Sequence, residues 1–255
     1  MIAAREAGAD CALDYRVSLL VIPGPTVSQW DAEGGPVVSG QTTTGVISPR
    51  SDTDAFTFTA EAGNTVVIQL SEMIPSTLGT VQIDLFGPGG GHPEASAWGN
   101  YSGILEGHQL AESGQYTIVA RERGADDYLD YSLSLLVIPG SATSCQDPDG
   151  GPILPGETKT GVLSHRSDMD AFTFTAQAGS SVIIQMSEAI PSYIGEPMIT
   201  LYGPGGGSPL VSASGEFSAS LEGYELTATG QYTIIARDQG ADDAFGYSLS
   251  LTVLP

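Results

Sequence analysis

Basic side chains are scarce in this chain. Lys159 and seven arginines stand against 30 aspartates and glutamates, and the formal charge is −22. A surface this acidic repels phosphate backbones and anionic headgroups, which argues against nucleic acid and membrane surfaces as partners. It suits a cation or a basic partner, and self-repulsion keeps such a protein in solution. No stretch approaches the ~20 consecutive apolar residues needed to cross a bilayer. Histidine is limited to His92, His108 and His165, and cysteine to Cys11 and Cys145. No H-E-x-x-H, G-x-S-x-G or Cys/His arrangement appears, so the usual metalloprotease and nucleophile signatures are missing.

What the chain has is turn residues and short apolar runs. Its 255 residues include 33 glycines and 16 prolines, with 41% hydrophobic residues. That mixture predicts an all-β protein with many turns and enough apolar side chains for a core. The dominant feature is an internal repeat. "SDTDAFTFTA" at Ser51–Ala60 returns as "SDMDAFTFTA" at Ser167–Ala176, an offset of 167 − 51 = 116 residues without a gap. Gly45-Val46 returns as Gly161-Val162, "LFGPGGG" from Leu85 as "LYGPGGG" from Leu201, and "GQYTIVAR" from Gly114 as "GQYTIIAR" from Gly230. "YSLSLLVIP" ending at Pro139 returns as "YSLSLTVLP" ending at Pro255. A partial copy comes first, because Ile2–Gly24 matches Ile118–Gly140 at the same offset. The expected organisation is a surplus two-strand hairpin over 1–24, a first β-sandwich over 25–140 and a second over 141–255. The Gly/Pro/Asp-rich stretches 23–40 and 139–156 read as linkers.

Within a repeat, apolar residues alternate with polar ones at the strand period of two. Phe56 and Phe58 share a face, as do Val66, Ile68 and Leu70, then Val81, Ile83 and Leu85, then Tyr131, Leu133, Leu135 and Val137. About eight such strands per repeat predict tandem antiparallel β-sandwiches, jelly-roll-like in form.

The pattern G-V-I-S…S-D-T-D-A-F-T-F-T-A-x-A-G, then L-[FY]-G-P-G-G, G-Q-Y-T-I and Y-S-L-S-L, resembles the bacterial pre-peptidase C-terminal domain. The resemblance covers two full repeats and the end of a third. It implies β-sandwiches appended to secreted bacterial proteins, assisting secretion, anchoring or substrate binding without catalysis. The related collagen-binding domains use calcium. The N-terminal stretch, with acidic Glu6 and Asp10 and no basic run ahead of an apolar one, does not read as a secretory signal. The expectation is a piece of a longer protein, or an export signal supplied elsewhere.

Three acidic motifs are candidate cation sites. Asp52 and Asp54, and their copies Asp168 and Asp170, are spaced i and i+2. On a strand they point the same way about 7 Å apart, which suits a shared calcium when other oxygens join. They equally suit a strand start, with Arg50 and Arg166 nearby as ion-pair partners. Asp31 in "DAEGGP", and Asp147 and Asp149 in "DPDGGP", resemble the opening of a calcium loop but lack the terminal bidentate glutamate. The third, "GADD" at Asp126-Asp127 and Asp242-Asp243, has Cys11 at the corresponding place in the leading copy and reads as a hairpin loop.

The histidines argue against catalysis, since their counterparts across the repeat are Ser208, Tyr224 and Pro49. Cys11 and Cys145 are disulfide candidates, within a chain or between neighbours, if the compartment oxidises. A two-strand hairpin is marginal alone, so residues 1–24 are expected to rest on something, through strand donation to a neighbouring copy or as part of a longer array. The chain therefore reads as a non-catalytic, extracellular or cell-surface bacterial protein: a fibre, filament, stalk or adhesion subunit that self-associates. The alternative is an accessory substrate-binding or secretion-assisting module of a larger secreted hydrolase, holding a polysaccharide or protein ligand. That alternative needs an exposed aromatic platform, for which Trp98, Tyr101 and Tyr224 are the candidates.

Overall fold

The computed structural model describes residues 14–28, 31–74, 79–191 and 195–255. The protein is all-β, with no helix among the described residues. The first repeat holds β1 (Gly34–Pro36), β2 (Gln41–Ile47), β3 (Thr53–Ala60), β4 (Thr65–Glu72), β5 (Val81–Phe86), β6 (Ala95–Gly99), β7 (Ser102–Gln109), β8 (Gly114–Glu122) and β9 (Leu129–Ile138). The second holds β10 (Gly151–Pro152), β11 (Thr158–Val162), β12 (Met169–Ala176), β13 (Ser181–Glu188), β14 (Pro197–Tyr202), β15 (Val211–Ser214), β16 (Ser218–Glu225), β17 (Gly230–Asp238) and β18 (Gly246–Leu254).

Each repeat is a two-sheet sandwich. In the first, a five-stranded sheet ordered β1-β3-β8-β5-β6 faces a four-stranded sheet ordered β2-β9-β4-β7. The second repeats this as β10-β12-β17-β14-β15 over β11-β18-β13-β16. Leaving β1 aside, the eight remaining strands divide four and four in jelly-roll order. The repeat thus has nine strands, one more than its alternating runs predict. The extra strand is β1, or β10, inside a segment that composition reads as linker. It pairs in parallel with β3, Gly34 opposite Ala55 and Gly35 opposite Phe56. Two or three residues with almost no side chain carry no period-two signal, so this strand escapes pattern reading.

The alternating faces close on the expected core. Phe56, Phe58, Ile68, Leu70, Ile83, Leu85, Tyr116 and Leu133 are all buried. Phe58 stacks on Tyr116 with ring centroids 5.5 Å apart, and Phe174 on Tyr232 at the same distance. Full burial of each such side chain contributes about 1.5–3 kcal/mol.

The two sandwiches stack sheet against sheet. Val67, Leu136 and Ile138 of the first four-stranded sheet form one apolar cluster with Met169, Ala171, Tyr202 and Ile235 of the second five-stranded sheet. Strand β4 is therefore buried along its whole length, whereas its copy β13 alternates between buried and exposed. Polar groups complete the contact. Arg237 donates to Glu106 Oε2 (3.2 Å), and Thr42 donates to Asp168 Oδ1 (2.7 Å). Gln69, oriented to donate to the Ser167 carbonyl (3.1 Å), accepts from Arg237 (3.2 Å).

Of the segment expected as a surplus hairpin, residues 1–13, including Cys11, lie outside the described residues. Asp14–Val27 belong to no sheet. They run over the outer face of the first five-stranded sheet, where Leu20 and Ile22 share a groove with Thr53, Phe86 and Val119.

Candidate metal centre

The parallel pairing of β1 with β3 decides the site. It lays the end of the "DAEGGP" stretch beside the start of "SDTDAF", so two motifs that look separate in sequence become one cluster. One oxygen from each of Asp31, Asp52 and Asp54 lies within 4.8 Å of the others. In the second repeat, Asp147, Asp149 and Asp170 meet within the same distance. The third ligand differs between the two. Asp149 joins the second set in the place that Asp52 holds in the first: Asp52 and Asp168 accept the same pair of backbone amides, Ser48 (3.0 Å) and Thr53 (2.9 Å) or Ser164 (2.6 Å) and Met169 (2.9 Å), but Asp168 also accepts from Thr42 (2.7 Å) while staying against Asp147. The i, i+2 pairing of Asp168 with Asp170 as co-ligands thus gives way to a pairing with the linker residue.

The floor of each site is a buried carboxyl. Asp54 is fully buried and Asp170 is 1% exposed. Each accepts one hydrogen bond from a buried tyrosine, Tyr131 to Asp54 Oδ2 and Tyr247 to Asp170 Oδ2, both at 2.6 Å. The other oxygen of each, Oδ1, has no hydrogen-bond partner. The repeated Gly45 and Gly161 explain the tyrosine's place, because a side chain at either would overlap the Tyr131 or Tyr247 hydroxyl. Pattern reading missed Tyr131 and Tyr247 as site residues. The recurrence of Gly45 and Tyr131 together, opposite each other in the β2–β9 register, was the available signal.

Electrostatics follow from burying like charges without a base. Burial, with Asp52 beside it, raises Asp31 to about 6. Burial raises Asp54 to about 7 against the opposing pull of the Tyr131 hydrogen bond. In the second repeat burial and the Asp168 charge bring Asp147 to about 7, and burial brings Asp170 to about 8. Arg50 does not relieve this, as its guanidinium lies 5.4 Å from the centre of the Tyr128 ring. A donor set of carboxylates without histidine or cysteine selects hard, oxygen-seeking cations over zinc.

The third acidic motif staples a loop, and in the second repeat it also gathers carboxylates, with one oxygen from each of Asp238, Asp242 and Asp243 within 4.8 Å of the others. The Asp238 oxygens accept from the Glu196 amide (2.9 Å) and the Asp242 amide (3.1 Å). Glu122 does the same in the first repeat, accepting from Thr80 and Asp126. Its carboxyl is held below the usual range: burial works against this, but four backbone hydrogen bonds outweigh it.

Other candidates disperse. Ser164 touches His165 Nδ1 (2.9 Å) but also contacts Asp168 (2.9 Å), so the hydroxyl stands between base and acid where a triad needs the imidazole. Trp98 is 56% exposed with the Arg123 guanidinium 3.8 Å over its ring. Tyr101 is exposed nearby in sequence, whereas Tyr224 packs on the core of the other sandwich. The three do not form one platform. Cys145 is exposed and its thiol is 3.0 Å from Gln146 Oε1.

Fold and site together define a tandem jelly-roll-like β-sandwich protein with an acidic cluster where each linker meets its sandwich. No family model and no curated protein matches the chain. Among solved structures, the periplasmic inhibitor of g-type lysozyme from Aeromonas hydrophila is similar over 41% of this chain and 96% of its own, at 19% identity and a TM-score of 0.34. A chain of Sulfolobus turreted icosahedral virus is similar over 79% of this chain and 55% of its own, at 9% identity and a TM-score of 0.23. Oxalate decarboxylase of Bacillus subtilis follows, over 85% and 74%, at 9% identity and a TM-score of 0.16. All three scores are low, and no function passes from these proteins to this chain. No described helix is long and apolar enough to cross a membrane.

Proposed function

We propose that this chain is a non-catalytic structural module of an extracellular or cell-surface bacterial protein, a stack of β-sandwiches whose linkers are clamped by calcium. The observation that carries the reading is the repeated cluster, in which a buried carboxylate with an unpartnered oxygen meets the linker's own carboxylates. A cation there joins the linker to strand β3 or β12 and neutralises charges that otherwise oppose folding. The buried contact between the sandwiches supports a stiff spacer, since it shares one apolar cluster and an Arg237–Glu106 pair. The motif resemblance to pre-peptidase C-terminal domains supports the secreted, accessory setting. Calorimetric titration of the chelator-treated protein with calcium is expected to show two sites and a rise in melting temperature. A melting temperature unmoved by calcium would remove the clamp. The exposed Trp98 favours a second reading, a binding module of a secreted hydrolase, and polysaccharide-dependent quenching of its fluorescence would support it.

A further inference from the structure

The two outermost sheets of the described residues each bear one half of the contact seen between the sandwiches. The internal contact joins the outer face of β2-β9-β4-β7 to the outer face of β10-β12-β17-β14-β15. The copy of the first face, the outer side of β11-β18-β13-β16, faces solvent. It keeps the side chains that make the internal contact. Gln185 stands for Gln69, Glu222 for Glu106, Ser248 for Ser132, Thr158 for Thr42, and Ile183 for Val67. Gln69 is fully buried, while Gln185, Glu222 and Thr158 are exposed.

The copy of the second face, the outer side of β1-β3-β8-β5-β6, holds Ala55, Phe86, Val119 and Arg121 where the second repeat holds Ala171, Tyr202, Ile235 and Arg237. Residues 14–22 lie across it. They are the sequence counterpart of β9, and they occupy the counterpart of its seat. Ile22 abuts Gly90 as Ile138 abuts Gly206, and Leu20 and Ile22 reach the groove at Thr53 and Val119 as Leu136 and Ile138 reach Met169 and Ile235. The seat is shallow. Leu20 and Ile22 are only half-buried, and the Ser18–Thr53 hydroxyl contact is 3.5 Å. The opposite side of the segment exposes Tyr15, Val17, Leu19 and Val21 at 63%, 54%, 68% and 57%. In the complete repeats this row is sandwich core: Tyr131, Leu133 and Leu135 are buried, and Val137 packs against them.

We infer that the outer face of β11-β18-β13-β16 is a docking surface for a second copy of this chain, received on that copy's β1-β3-β8-β5-β6 face in the seat that residues 14–22 hold as a displaceable cap. Strand β18 is the counterpart of the cap in the second repeat, with Thr252 and Leu254 where the cap has Leu20 and Ile22, and it is already ordered in its sheet, so it replaces the cap without an ordering cost of its own. The contact brings Arg121 of one copy to Glu222 of the other, as Arg237 meets Glu106. Being heterologous, it adds copies head to tail. Three substitutions make it weaker than the internal contact. Leu136 becomes Thr252, Met169 becomes Thr53, and Thr200 becomes Asp84, which already accepts from Arg121 at 2.9 Å.

The inference rests on the structural reading above, but its test is separate, because calcium titration judges the clamp and sedimentation judges the docking. Sedimentation velocity is run on the full chain, on the chain with Leu20→Asp and Ile22→Asp, and on a deletion of residues 1–24, which removes no described strand. The full chain is expected to sediment as a monomer or weak associate. Both cap variants are expected to form a concentration-dependent series of oligomers. Adding Glu222→Arg to either is expected to return it to monomer, and Glu225→Arg is not. Cap variants that stay monomeric at all concentrations, or association that survives Glu222→Arg, overturn the inference. If the double aspartate variant fails to fold, the deletion alone decides.

Discussion

Asparagine at position 170 separates the electrostatic account of the site from a purely structural one. In the metal-free protein the Asp170 carboxyl titrates near 8, against 3.8 for an ordinary aspartate. Between those values the folded chain retains a proton that the unfolded chain has released. Stability is therefore fully present below about pH 4 and falls as pH rises toward 8. At about 1.4 kcal/mol per pH unit, Asp170 alone costs on the order of 5 kcal/mol by pH 8. Asp170→Asn abolishes that cost while its carbonyl still accepts from Tyr247 and its amide reaches toward Asp147 and Asp149. Urea denaturation in chelator is expected to show the variant more stable than the parent at pH 8, by up to that amount, and nearly equal at pH 4.5. Calcium at 100 times its Kd stabilises the parent by about 2.7 kcal/mol per site, and the variant is expected to lose the share of one site. A variant less stable than the parent at pH 8 in chelator, or one with an undiminished calcium response, refutes the reasoning.

Two further changes probe the scaffold. Gly45→Ala forces a methyl group into the Tyr131 hydroxyl and displaces it from Asp54; overpacking of this kind costs about 1–3 kcal/mol, and the melting temperature is expected to fall, with Gly161→Ala doing the same through Tyr247. Arg237→Met removes a side chain that is 3% exposed and leaves Glu106 at the junction with the Thr200 hydroxyl (3.4 Å) but without its counter-charge. Calorimetry is expected to resolve one unfolding transition into two as the sandwiches uncouple, whereas Arg121→Met, at a 32% exposed position, leaves the profile close to the parent's.

The sandwich was legible because its strands are half-buried and repeat with a period of two. Phe56, Phe58, Val66, Ile68 and Leu70 reveal their common face through alternation, and a second copy at a fixed offset confirms the reading. The ninth strand was not legible, since Gly34, Gly35 and Pro36 have no alternating side chains to show. The site was half legible for the same reason. Asp52, Asp54, Asp31, Asp147, Asp149 and Asp170 all stood out as acidic motifs, but only the parallel pairing of β1 with β3 joins them, and parallel pairing between segments about 20 residues apart leaves no local signature. Asp168 marks where copies diverge. Its sequence and its two amide donors are those of Asp52, but the neighbouring sandwich brings the Thr42 hydroxyl against it, and beside Asp147 it is no longer one of the three carboxylates that meet.

That divergence ties the site to the stack. In the second repeat the carboxylate next to the cluster is anchored by a hydroxyl from the first, so the charge state of the cluster and the fit of the junction share a residue. In the first repeat no sandwich among the described residues supplies such a hydroxyl, and Asp52 stays in the cluster, bordered by residues 16–21 of the leading segment. The recurrence of "SDTDAF" is explained by duplication, but its two aspartates do different work in the two copies, because among the described residues only Asp168 accepts a hydroxyl from a neighbouring sandwich. A second copy docked on the first repeat would place Thr158 where Thr42 stands at the internal junction. Asp52 would then accept a hydroxyl from the second copy as Asp168 accepts from Thr42, and calcium binding at the first site is expected to respond to assembly while binding at the second is not.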